Sequence, residues 1–211
     1  MSLRRRRQIV AVVSLAGATL LGASLSTQPG SKRFYTMTFG VAATWLGGAL
    51  VTGPIRLGRR NIVAPVALGA GTFAAFYATA LVCRRVPILN RAIAGVLQYE
   101  NKGSTDLVLL TTLANGLAEE VFFRGALYEA AGGNRPVVLS TTAYALATTA
   151  TRNPALVLAS IVMGTLFGLQ RRASNGIQAP VITHLTWSAL MLRFLPPLFR
   201  SPNGLDTARP G

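Results

Sequence analysis

The sequence predicts an all-α fold, a polytopic membrane bundle of seven or eight helices. Three observations carry that expectation. Of 211 residues, 51% are hydrophobic and only 13% are charged, whereas a soluble domain carries about 25% charged residues. Uncharged runs longer than the ~18 residues of a spanning helix recur along the chain. Arginines stand at the ends of those runs. The mean hydropathy is +0.44. Too few charged side chains exist to cover a water-facing surface, which excludes an ordinary soluble protein, a disordered chain and a coiled coil.

Lys and Arg number 21 against 6 Asp and Glu, a net charge of +15. No basic face is interleaved with aromatic residues, so nucleic acid is not an expected partner. The arginines read instead as juxtamembrane groups facing the anionic headgroups of a lipid bilayer. The single Cys83 excludes an intrachain disulfide and a cysteine-rich zinc site.

The elements follow in order. Arg4 to Arg7 precede an uncharged stretch over residues 8–31. Ala23-Ser24-Leu25-Ser26 resembles a cleavage region, but the stretch reads better as an uncleaved first helix with its arginines in the cytoplasm. Lys32 and Arg33 separate it from a second run over 34–55. Arg56, Arg59 and Arg60 separate that from a third over 61–83, closed by Arg84 and Arg85. Residues 86–99 mix apolar groups with Arg91 and Gln98, the pattern of a helix lying at the interface. Asp106 is placed to cap a long helix through about Ala130, ended by Gly132-Gly133. Asn134-Arg135-Pro136 opens the next, which stops at Arg152-Asn153. Pro154 begins another, to Arg172, and a last one runs from Ala179 to Phe194 before Pro196-Pro197. Nearly every connection is basic, so charge does not orient the bundle beyond its first helix. Residues 1–200 are expected to form one integral-membrane domain, with a polar tail over 201–211.

Two of the six acidic residues, Glu119 and Glu120, sit deep in the apolar stretch that begins at Leu107. An ionisable group at mid-membrane costs about 2.5–3.5 kcal/mol on insertion scales. Something must offset that cost or exploit it. Adjacent helical positions point about 100° apart, so the two glutamates have different roles. Glu120 and Arg124 are spaced i,i+4, with the carboxylate toward the N-terminus, the favourable order for an ion pair. Glu119 shares a face with Asn115 and Phe123 and has no such cation. A carboxylate desolvated by apolar neighbours suits a general base. The blander alternative is a buried polar lock without chemistry; a transporter's ion site is a third.

His184 is the chain's only histidine, with Ser188 one turn later on the same face. It reads either as an interhelical hydrogen-bond partner or as a donor to a developing oxyanion. A serine-hydrolase reading of the pair is weaker, because no carboxylate is placed in sequence to orient the imidazole.

The run Glu119-Glu120-Val121-Phe122-Phe123-Arg124 matches the EExxxR signature and resembles the CPBP family, the CAAX-protease and bacteriocin-processing (Abi) intramembrane proteases. Tyr144 to Thr148 stands where the family has FxxxH, with Tyr for Phe and Thr for His. His184 to Ser188 stands where it has HxxxN, with Ser for Asn. Ala179-Pro180 and the stretch from Gly164 to Arg172 also look like the family. The resemblance covers about residues 105–195.

The resemblance implies a membrane hydrolase whose first glutamate, with the FxxxH histidine, activates a water. By position, Glu119 is the base, Glu120 and Arg124 hold the site in shape, His184 is an oxyanion donor and Ser188 takes the second donor place. Thr148 replaces a base and can only orient a water; Ser188 offers one donor where an Asn amide offers two. Losing one oxyanion donor can cost roughly a hundred- to a thousandfold in rate, so a catalytically impaired scaffold of the same fold is the alternative. A transporter is disfavoured by the lack of paired half-repeats. A catalytic zinc wants three protein ligands. The one candidate set, Glu119, Glu120 and His184, loses Glu120 to Arg124, so neither a metal nor another cofactor is expected. The substrate expected is a peptide or membrane protein, cut at a cell membrane that the chain crosses several times. Ala-, Arg- and Gly-rich usage suggests a GC-rich bacterial genome.

Overall fold

The computed structural model describes residues 1–101, 103–133 and 135–199. Asn134 and the 201–211 tail, both of which figure in the expectations above, lie outside the described residues. The described residues contain no strand. They form α1 (Leu3–Ser24), α2 (Lys32–Thr52), α3 (Val63–Cys83), α4 (Pro87–Asn101) and α5 (Thr105–Glu119). A π-helical segment (Glu120–Leu127) and a short α6 (Tyr128–Ala131) continue α5 without a break. Then come α7 (Pro136–Thr149), α8 (Pro154–Ser174), α9 (Gln178–Phe194) and a 3₁₀ turn (Pro196–Phe199). With α5, the π segment and α6 counted as one rod, these are eight helices, and the expected helical bundle stands. Four of them, α1, α2, α3 and α8, are long and apolar enough to cross a membrane.

Helix ends follow local chemistry. Ser2, Ser31 and Asn153 accept hydrogen bonds from the first-turn amides of Arg5, Phe34 and of Ala155 and Leu156, satisfying donors that a helix leaves open. Three expectations shift. The arginine cluster lies inside α1 rather than before it, and α1 ends at Ser24, where Leu25 and Ser26 turn the chain ahead of Pro29-Gly30. The second helix stops at Thr52, where Gly53 takes φ +131°. Asp106 is not the cap of α5. Ser104 holds that position, and Asp106 sits in the first turn, where a carboxylate favours the helix dipole.

The α1–α2, α7–α8 and α3–α9 pairs are the most extensive, and α5 with its π extension lies between α2 and α9. Trp45 of α2 and Phe122 and Phe123 of the π segment are fully buried, with Trp45 and Phe123 packed edge to face at 5.3 Å. Gly17 of α1 lies directly against the Trp45 indole, where any Cβ would overlap the ring. Between membrane helices, such close approach supplies the dispersion contact that holds the pair.

Basic side chains fasten one end of the bundle. Arg6 donates to the Thr52 carbonyl at 3.0 Å, and Arg7 to those of Ala130 and Ala131 at 3.0 and 3.3 Å. Cations thus cap the C-termini of α2 and α6, favoured by the helix dipole. At the same end, the loops flanking α3 and α9 pair through backbone bonds from Ile177 to Arg56 and from Gln178 to Leu57, at 2.9 and 3.0 Å. At the opposite end, α4 is tied across the bundle. The Tyr99 hydroxyl donates to the Leu25 and Thr27 carbonyls, and Asn153 donates to the Ala92 carbonyl at 2.8 Å.

Candidate active site

The stretch Glu120–Leu127 is π-helical and every residue in it is buried. Ordinary α spacing was the expectation. A π segment inside an α-helix is rare and frequently marks a functional site. Its widened turn changes which residues share a face: Asn115 and Glu119 line a common cavity, but Phe123, expected beside them, packs in the core against Trp45 and Tyr144. Arg171 of α8 braces the segment. Its Nε donates to the Arg124 carbonyl at 2.9 Å, its Nη2 bonds Glu129 and its guanidinium lies 4.9 Å from the Tyr128 ring. Arg171, within the Gly164–Arg172 stretch that looks like the family, is 2% exposed.

Glu120 and Arg124 form the expected pair, at 3.2 Å and with both side chains sealed from solvent. The Arg124 guanidinium also lies 4.7 Å from the Tyr144 ring and 5.3 Å from that of Phe167. Glu120 has a second partner that the sequence did not announce: its Oε1 is 3.0 Å from His184 Nδ1. The expectation that no carboxylate orients the imidazole is therefore corrected. The carboxylate comes from 64 residues away, through the packing of α9 on α5 and the π segment. With Nδ1–H directed at Glu120, Nε2 is the nitrogen left over. The ring stacks on Phe167 at 4.8 Å, which fixes its plane.

Glu119 is half-buried, and its Oε2 accepts a hydrogen bond of 2.7 Å from the Tyr144 hydroxyl. Tyr144 stands where the family motif has Phe, and its added hydroxyl is the group that binds this carboxylate. Thr148 donates its own hydroxyl to the Tyr144 carbonyl at 2.8 Å, leaving lone pairs for another donor. Ser188 is 5% exposed, and no hydrogen bond joins its hydroxyl to His184 or to any other described residue.

Glu119, Tyr144, Thr148, His184 and Ser188 line one cavity of about 290 Å³. Glu120 and Arg124 stand behind it, touching it only through His184 and Tyr144. From this polar floor the cavity extends past Val108, Leu156 and Met163 toward Tyr99 and Glu100 of α4. It reaches the end of the bundle away from Arg6 and Arg7, along walls that are mostly apolar. Among the described residues no three His, Cys, Asp or Glu side chains are grouped to share a metal ion.

Residues 102–190 match the family model described as type II CAAX prenyl endopeptidase, Rce1-like. Members of that family, which is part of the CPBP family, are intramembrane peptidases. The matched segment runs from the start of α5 into α9 and contains Glu119, Glu120, Arg124, Tyr144, Thr148, Arg171, His184 and Ser188. No curated protein and no solved structure matches the chain.

Proposed function

We propose that this chain is an intramembrane endopeptidase in which Glu119 activates a water against a peptide carbonyl. The observation that supports it best is the shared cavity: Glu119, Thr148, His184 and Ser188 face one space, although they come from α5, α7 and α9. Glu119 Oε2 is held by Tyr144, and Oε1 has no partner among the described residues. In the reaction, Oε1 takes a proton from the water as its oxygen bonds to the carbonyl carbon. The carbonyl electrons move onto oxygen, and the C–N bond breaks as the proton passes from Glu119 to the leaving amine.

The oxyanion needs donors. His184 serves with both nitrogens protonated, Nδ1–H on Glu120 and Nε2–H toward the cavity. Ser188 is the second donor. Thr148, its proton committed to the Tyr144 carbonyl, accepts from the attacking water and orients it.

The substrate in this reading is a peptide segment or membrane protein presented in extended form, with apolar side chains against Val108, Leu156 and Met163. The basic ends of the helices seat the bundle among anionic headgroups of the cell membrane, crossed several times. The test is hydrolysis of a quenched-fluorescent peptide library by the full chain in lipid nanodiscs. Glu119→Gln should lose at least roughly a hundredfold in rate. Equal cleavage by wild type and Glu119→Gln would end the mechanism.

A second reading, a membrane scaffold without turnover, draws support from Thr148, whose hydroxyl is occupied by its own helix, and from the replacement of Asn by Ser188. Turnover that disappears in His184→Ala would eliminate it.

A further inference from the structure

Tyr144 touches both halves of the site. Its hydroxyl donates to Glu119 Oε2 at 2.7 Å, and the face of its ring carries the Arg124 guanidinium 4.7 Å from the centroid. Arg124 holds Glu120, and Glu120 holds His184. One side chain therefore links the group that faces a water to the group that faces an oxyanion, through four consecutive contacts. Few of its own degrees of freedom remain. Phe123 packs against the ring at 4.9 Å, and the Thr148 hydroxyl binds its carbonyl. Gly164 of α8 closes the other side, where an added Cβ would come within 3.0 Å of Thr141, 3.2 Å of Arg124 and 3.4 Å of the Tyr144 ring.

We propose that Tyr144 is a positioning residue of this site: its phenol clamps one oxygen of Glu119 and so aims the other into the cavity. This rests on reading Glu119 as the base. A carboxylate on a stem of two methylenes otherwise samples several rotamers. A hydrogen bond from a rigid ring removes that freedom before substrate arrives, the condition under which an intramolecular proton acceptor is most effective. The same bond occupies Oε2, so a reagent or water entering the cavity meets Oε1 alone. Thr148, one turn farther on, lends its hydroxyl to the tyrosine's backbone and supports the clamp.

The test reads the carboxyl directly, without a known substrate. The full chain in nanodiscs is treated with dicyclohexylcarbodiimide, which adds to carboxyl oxygens in apolar surroundings, and the adduct at Glu119 is followed by mass spectrometry. Tyr144→Phe keeps the ring for Arg124 and Phe123 and removes only the hydroxyl. It should label Glu119 about tenfold faster than wild type, the scale of one hydrogen bond to a charged group. Tyr77→Phe, remote in α3, should label at the wild-type rate. With a cleavable peptide, Tyr144→Phe should lower kcat roughly tenfold and leave KM within about twofold.

Equal labelling rates for wild type and Tyr144→Phe, or no adduct at Glu119 in either, would overturn the clamp. A labelling difference without cleavage by wild type on any peptide would defeat the endopeptidase reading and leave the Tyr144–Glu119 clamp standing.

Discussion

His184 Nδ1 lies 3.0 Å from Glu120 Oε1, so the imidazole of α9 is held by a carboxylate that also pairs with Arg124. Glu120 is fully buried, and its two partners are its whole compensation for leaving water. Breaking such a pair leaves an isolated charge behind, at a cost of about 3–5 kcal/mol. Glu120→Ala should therefore destabilise the folded chain by that amount, while Glu119→Gln, which keeps a polar group on the cavity floor, should cost far less. Unfolding midpoints in detergent would compare them, and a Glu120→Ala variant as stable as Glu119→Gln would contradict the buried pair.

His184→Gln tests the oxyanion role separately from stability. The amide can still bond Glu120 but cannot offer a cationic donor. Turnover should fall roughly a hundred- to a thousandfold, with KM little changed. Wild-type kcat in this variant would remove His184 from the reaction.

Ser188 gives a prediction in both directions. Ser188→Ala removes a donor and should slow cleavage by at least about tenfold. Ser188→Asn restores the two-donor amide of the family motif and should match or exceed the wild-type rate. A Ser188→Ala rate equal to wild type would show that the hydroxyl does not contact the reacting carbonyl.

Gly17 tests the packing beneath the site. Its Cα lies against the Trp45 indole, and Trp45 in turn packs on Phe123. Gly17→Val overfills that contact and should cost about 1–3 kcal/mol. Thermal unfolding would read the loss; an unchanged midpoint would mean that α1 and α2 separate freely.

Much of this protein was legible along the chain. Uncharged runs bounded by arginine place the long helices, because only a helix satisfies its own backbone in a lipid core. Pro154 marks a helix start because its fixed φ suits the first turn, and the structure begins α8 there. The Glu120–Arg124 pair is likewise local, four residues on one rod, and the motif that contains it agrees with the family match over residues 102–190.

The tertiary structure alone decided the rest. The π register over Glu120–Leu127 turns Phe123 into the core, although α periodicity places it beside Glu119. The bonds from Tyr144 to Glu119, from His184 to Glu120 and from Arg171 to the Arg124 carbonyl cross between helices. Periodicity reports which way a side chain points on its own helix. It says nothing of which helix lies opposite, and that choice is made by the joint packing of the entire bundle, which brings Tyr144 to Glu119, His184 to Glu120 and Arg171 to Glu129.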